Sequence, residues 1–185
     1  MALPVPRHRF TVEDYEQMGV AGILGEDDRV ELIAGEIVEM SPIRPRHAAC
    51  VNQATRLLSR QVGDAGLVSV QNPVRLGDHD EPEPDLMVLR PGPDYDRSLP
   101  TPADVLLLIE VVDTSLSYDR RVKIPMYARA GIAEVWLVDL KGRVVFRYAE
   151  PHEGAYRRIE RVGRGQRLAA LNLPGLEIAV DDLFA

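Results

Sequence analysis

Residues 105–112 read V-L-L-L-I-E-V-V, seven aliphatic side chains around one glutamate, Glu110. A short, unbroken apolar run of this kind is the pattern of a central strand covered on both faces. Covering both faces takes helices above and below the sheet, so the run points to an α/β fold. It is far too short to span a bilayer. An ionised carboxylate inside such a strand is costly unless it is paired or bound to a cation. Side-chain alternation puts Glu110 on the face of Leu106, Leu108 and Val112. Two explanations stand: a structural ion pair with an arginine, or a carboxylate that opens onto a cleft at the strand end.

The rest of the chain supplies the layers. Its 185 residues suit one domain, read as 1–185 with residues 1–10 a loose arm. Thr11 opens T-V-E-D, with Asp14 in capping-box position, and predicts a short helix to about Gly19. Residues 30–40, VELIAGEIVEM, predict a hairpin that turns at Ala34-Gly35, where Gly35 can take a positive φ. Residues 46–62 carry apolar Val51, Ala54, Leu58 and Val62 at helical spacing. Strands are expected at 68–76, 85–89, 105–112, 135–140, 144–148 and 156–162. A helix is expected at 119–130, with Pro125 either distorting it or sitting in its first turn. A Pro-rich loop covers 91–102, and LPGLEIAVDDLF closes the chain. Interleaved strands and helices give a mixed central sheet flanked by helices, with an added N-terminal hairpin.

Hydrophobic residues make up 45% of the chain, enough for a sizeable core. The formal net charge of −7 argues against a protein that coats nucleic acid through bulk positive charge. It does not exclude a nuclease, because carboxylates that hold a metal add to the negative count. The single cysteine, Cys50, forms no internal disulfide and suits a reducing compartment. The start, MALPVPRHRF, lacks the apolar stretch of a signal peptide. These features predict a cytoplasmic protein with no membrane segment. No GxGxxG, Walker loop, HExxH, CxxC or G-x-S-x-G is present.

Asp85 opens the run D-L-M-V-L after E-P-E-P. Alone it reads as a turn cap. With Glu110 on a neighbouring strand it forms a pair of carboxylates, as a hard divalent cation requires. Lys123 is either a solvated lysine at a helix start or an ammonium folded back over the strand end. Among Glu31, Glu36 and Glu39 of the hairpin, one could supply an accessory ligand or an outer hydrogen bond. His47 points inward at the start of its helix, where a packed, hydrogen-bonded histidine is favoured over a metal ligand.

Several segments together resemble a family. They are V-E-L-I-A-G-E-I-V-E-M-S-P, R-H at 46–47, P-E-P-D at 82–85, L-L-I-E-V-V-D-T-S at 107–115, D-R-R-V-K-I-P-M-Y-A-R-A-G at 119–131 and E-V-W-L-V-D at 134–139. They are similar to the bacterial Uma family of the PD-(D/E)xK nuclease superfamily, over about residues 10 to 185. The resemblance implies a restriction-endonuclease-like core. It makes Pro84-Asp85 the "PD" and Glu110 the second acid. The superfamily lysine stands two positions after that acid, where this chain has Val112, and Lys123 on the next helix matches it instead. The family's habitual aspartate in the hairpin turn is Ala34 here.

The expectation is phosphodiester hydrolysis of DNA with Mg²⁺ or Mn²⁺ held by Asp85, Glu110 and the Val111 carbonyl. Lys123 orients the water or stabilises developing charge, and Arg44, Arg46, Arg120 and Arg121 are placed to meet phosphates. The resemblance, and an apolar strand at 144–148 read as a sheet edge, also suggest a homodimer. Two rivals remain open: a non-catalytic binding or assembly protein that keeps the nuclease fold, and a hydrolase of small phosphorylated molecules.

Overall fold

The computed structural model describes residues 7–25 and 27–184. Helix α1, Val12–Val20, starts at a capping box in which Thr11 and Asp14 satisfy each other's backbone N–H groups. Strands β1, Val30–Ile33, and β2, Glu36–Glu39, form the expected hairpin. Both turn residues have positive φ, 53° at Ala34 and 76° at Gly35, which is what a tight two-residue hairpin turn requires. The turn is pinned on both sides. Phe10 N–H donates to Gly35 O at 2.9 Å, Gly35 N–H to His79 O at 2.8 Å and Ala34 N–H to Asp80 Oδ1 at 2.6 Å. The expected loose arm lies outside the described residues as far as residue 6, and from Arg7 onward it is bonded to the hairpin, with Arg7 on Glu36 and Arg9 Nε on Ala34 O.

Six strands make the main sheet: β3 Leu67–Val70, β4 Leu86–Leu89, β5 Val105–Val112, β6 Glu134–Asp139, β7 Val144–His152 and β8 Ala155–Val162, side by side in chain order. Only β5 and β6 run parallel. A parallel pair needs a crossover. It is supplied by a single turn, α3, Leu116–Tyr118, a π-turn, Asp119–Lys123, and helix α4, Ile124–Ala130. Helix α2, Pro45–Val62, covers the opposite face. The sheet is thus mixed and covered on both sides, as the buried run in β5 predicts.

Alternation splits β5 between two cores. Leu107, Ile109 and Val111 pack with α2, while Leu108 and Val112 pack with α4. Leu106 is not on the Glu110 face as simple alternation predicts. The β4–β5 register skips it, pairing Val88 with Leu107 and Leu89 with Val105, and the bulge turns it to the α2 side.

Other boundaries differ from expectation for physical reasons. Strand β3 stops at Val70 instead of Leu76, because Gln71 takes φ 50° and Pro73 has no N–H to donate. The segment 144–148 is not a sheet edge. Strand β7 runs on to His152 between β6 and β8, and β8 is the edge. The closing segment contains a further hairpin partner. Strand β9, Arg167–Ala169, pairs with β10, Glu177–Ala179, and with the final 3₁₀ turn completes the α2-side core. The helix expected at 119–130 is divided. Ile124 N–H reaches back to Asp119 O, and Pro125 sits in the first turn of α4. A proline ring clashes with the carbonyl four residues earlier, and the wider π-turn makes room for it. Gly131 ends α4 in the left-handed conformation.

Candidate active site

The register of β4 against β5 decides which side chains meet. Leu86 faces Ile109, so the next pair outward is Asp85 and Glu110, on the opposite face of the sheet from Leu86 and Ile109. Asp85 N–H points to Glu110 Oε2 at 3.5 Å, and Val111 N–H donates to Asp85 Oδ2 at 2.9 Å. The two expected acids therefore share one end of the sheet. They line a cleft of about 520 Å³ together with Glu31, His47, Asp119 and Lys123.

Lys123 projects from the π-turn into the same place and is 7% exposed. Its Nζ lies 3.0 Å from Glu31 Oε2 and 3.3 Å from Glu110 Oε1. Burial works against its charge, but the carboxylates of Glu110 and Glu31 outweigh that and hold its pKa above the usual lysine value. Lys123 is not the solvated lysine that most lysines are. Burial pushes Glu110 up to about 7, and the Lys123 charge only partly counters this.

The hairpin delivers Glu31 through its docking on the 78–81 loop. Leu32 bridges to Glu81, and Glu83 N–H donates to Glu31 Oε2 at 3.3 Å. Of the three hairpin glutamates considered, Glu31 reaches the cluster, while Glu39 only lines the cleft. Glu36 is exposed and pairs with Arg7 at 3.3 Å. His47 Nε2 lies 3.0 Å from Asp85 Oδ2, and this bond raises the His47 pKa against the opposing effect of burial. The packed, hydrogen-bonded histidine is thus what forms, but its partner is the candidate acid. Among the arginines, Arg44 lines the cleft and Arg29 joins it. Arg46 is bound to Leu140 O, Arg121 is exposed, and Arg120 stacks over the Phe146 ring at 4.0 Å, in a different hollow.

Three residues of the site went unread in the sequence. Tyr127 OH donates to Glu110 Oε1 at 2.6 Å, from a fully buried ring. Asp119 is 5% exposed, with Oδ2 buried and without a partner among the described residues. Asp119, Lys123 and Tyr127 recur every four positions, a spacing that places side chains on one helix face and was the available signal. Gln71 Nε2 lies 3.4 Å from Asp85 Oδ1 and owes its place to the left-handed backbone at the end of β3. Nothing in the sequence marks it.

Among the described residues, no three His, Cys, Asp or Glu side chains form a group able to hold a metal ion. The donor set present is two carboxylates and the β5 backbone. Glu110 Oε1 is taken by Tyr127 and Lys123, which leaves Oε2 only the long contact to Asp85 N–H. Asp85 Oδ2 is taken by Val111 and His47, which leaves Oδ1 only the long contact to Gln71. Each acid thus keeps one lightly engaged hard oxygen. That fits Mg²⁺ or Mn²⁺, of which Mg²⁺ takes one or two carboxylates and keeps several waters.

A mixed six-stranded sheet with helices on both faces, and buried acids beside a lysine at the end of its central strands, defines a restriction-endonuclease-like α/β protein. The model of the Uma2 family, described as "Putative restriction endonuclease", matches residues 12–181, and the chain belongs to that family. A solved structure from Anabaena variabilis, described as "a putative nuclease belonging to DUF820", superposes with a TM-score of 0.75 at 18% identity. The match covers 95% of this chain and 97% of that one, and establishes the shared fold. No curated protein matches the chain.

Proposed function

We propose that this protein is a nuclease that hydrolyses phosphodiester bonds of DNA, with Mg²⁺ or Mn²⁺ as cofactor. The observation that carries the reading is the pairing of Asp85 with Glu110, each with a spare oxygen, beside a buried ammonium in one cleft. Asp85, Glu110 and the Val111 carbonyl would hold the cation, which supplies Lewis acidity toward the phosphate. Lys123 holds a fixed positive charge in a water-poor pocket, where it stabilises negative charge developing on phosphate oxygens. Tyr127 and Lys123 orient Glu110 through Oε1, while His47 and Gln71 orient Asp85. Arg29 and Arg44 at the cleft meet the flanking backbone of the substrate.

The test is incubation of plasmid and single-stranded DNA with the protein in Mg²⁺ or Mn²⁺, beside Asp85→Asn and Glu110→Gln. Metal-dependent cleavage by wild type and none by the variants is expected. If wild type cuts neither substrate under any divalent cation, the reading fails. The alternative of a binding protein, in which Lys123 serves only as a buried ion-pair partner, then replaces it. Cleavage of both strands of a duplex also suits a two-fold dimer acting in the cytoplasm, with the β8 edge and exposed Ile159 as the joining surface. A monomer by sedimentation at micromolar concentration would remove the dimer.

A further inference from the structure

Hydrolysis of a phosphodiester needs a group that takes a proton from the attacking water. Lys123 is unsuited to that role. Its ammonium lies between two buried carboxylates, at 3.0 Å from Glu31 and 3.3 Å from Glu110, and a cation so placed keeps its proton. Glu110 Oε1 and Asp85 Oδ2 each already take two contacts, and the remaining oxygens of these acids are the ones left to a cation.

Asp119 is placed differently. It opens the π-turn that carries Lys123, and it lines the same cleft from the helix side rather than from the sheet. Its backbone N–H is bonded to Ser115 O, and its Oδ2 is buried without any partner among the described residues. A buried carboxylate oxygen without a donor is costly, and such a group in a well-paired fold marks a place where something else binds. Single π-turns are frequent at functional sites.

We infer that Asp119, through the carboxylate that lines the cleft, is the catalytic acceptor of the water proton. The inference rests on the nuclease reading above. In the step, the water oxygen forms a bond to phosphorus while one of its protons passes to the Asp119 carboxylate. The bond from phosphorus to the departing sugar oxygen breaks, and that oxygen takes a proton from solvent. Asp119 then returns its proton to solvent, so the net change is addition of one water across the bond. Burial raises the Asp119 pKa from the usual aspartate value, which makes it a better acceptor.

Asp119→Asn is nearly isosteric and tests the role. The variant is expected to cut plasmid about 10²–10⁴-fold more slowly than wild type. Its melting temperature without metal, the upward shift produced by Mn²⁺, and its affinity for a labelled oligonucleotide in Ca²⁺ should stay at wild-type values. Asp119→Ala should regain part of the lost rate when formate is added, because formate can fill the vacated space and accept the proton. If Asp119→Asn cuts within about threefold of wild type, the inference fails and the nuclease reading survives. Loss of the Mn²⁺ shift or of oligonucleotide affinity in Asp119→Asn overturns it too, in favour of a binding role. If wild type itself cuts nothing, the reading and the inference fall together.

Discussion

Two buried glutamates on neighbouring strands of one sheet are satisfied in different ways. Glu134 on β6 is wholly buried, and each of its oxygens accepts a close hydrogen bond. Trp136 Nε1 donates to Oε1 at 2.7 Å and Leu171 N–H donates to Oε2 at 2.7 Å. Arg147 nearby is engaged with Ala169 O and Glu160. Glu110 on β5 is 4% exposed, but only one of its oxygens is held closely. The first carboxylate ties the 171 segment to the sheet. The second keeps capacity to bind and faces a cleft. Burial alone does not distinguish them. Leftover hydrogen-bond capacity turned toward open space does.

The contrast can be broken most forcefully in activity. Lys123→Met should lower DNA cleavage by about 10²-fold or more, with the Mn²⁺-induced rise in melting temperature retained. Glu110→Gln should abolish both. Equal Mn²⁺ shifts in wild type and Glu110→Gln would dissolve the distinction between the two glutamates.

Stability should show the reverse order. Glu134→Ala leaves the buried indole N–H of Trp136 and the part-buried N–H of Leu171 without acceptors and should cost about 2–4 kcal/mol in urea unfolding. Any cleavage activity should survive in the molecules that remain folded. A cost no greater than that of a surface substitution would mean that Glu134 is not the structural member of the pair.

Glu81 sharpens the comparison from a third side. Its Oε2 is buried without a partner among the described residues, yet Glu81 does not line the cleft. Burial, then the neighbouring Glu16, raise its pKa from 4.5 to about 7. The folded chain therefore holds that proton more tightly than the unfolded chain. Glu81 costs nothing below pH 4.5, destabilises increasingly as pH rises toward 7, and exerts its full penalty above that. Glu81→Gln should match wild type at pH 4.5 and exceed it at pH 8 by on the order of 1–3 kcal/mol. A pH-independent difference in urea midpoints would refute the assignment.

The smallest effect concerns the hairpin that delivers Glu31. Ala34 holds a φ of 53°, which costs an L-residue roughly 1 kcal/mol. Ala34→Asn suits that conformation and should raise stability by about 0.5–1 kcal/mol. Any cleavage rate should be unchanged, because the Glu31 side chain does not move. A fall in rate would show that the hairpin sets the site more directly than its contacts indicate.

The sequence made the sheet legible because hydrophobic patterning is a local signal. The run at 105–112, the capping box at Thr11 and the turn at Ala34-Gly35 could each be read within a few residues. What escaped depended on contacts distant along the chain. Leu106 faces away from Glu110 because of its register with β4. Gln71 sits by Asp85 because of one left-handed residue, and β9 pairs with β10 across a loop of irregular chain. The candidate site was half legible. Asp85, Glu110 and Lys123 were named from pattern and resemblance, and they do meet. Tyr127 and Asp119 share the spacing of Lys123 and could have been named with it. That Glu31 rather than Glu36 reaches the cleft depended on how the hairpin docks, which no local pattern contains.

The cluster around Lys123 draws on the hairpin, the start of α2, two strands and the π-turn, with Glu31 and the Glu83 amide it accepts standing 52 positions apart. No early segment of the chain contains a working part. During synthesis the two acids emerge ahead of the lysine by on the order of seconds. A nascent or truncated polypeptide therefore lacks the ammonium and the helix face that orient Glu110. In a chain of this design the site comes into being only when the whole tertiary structure has closed, so quality control of folding also decides whether the site exists.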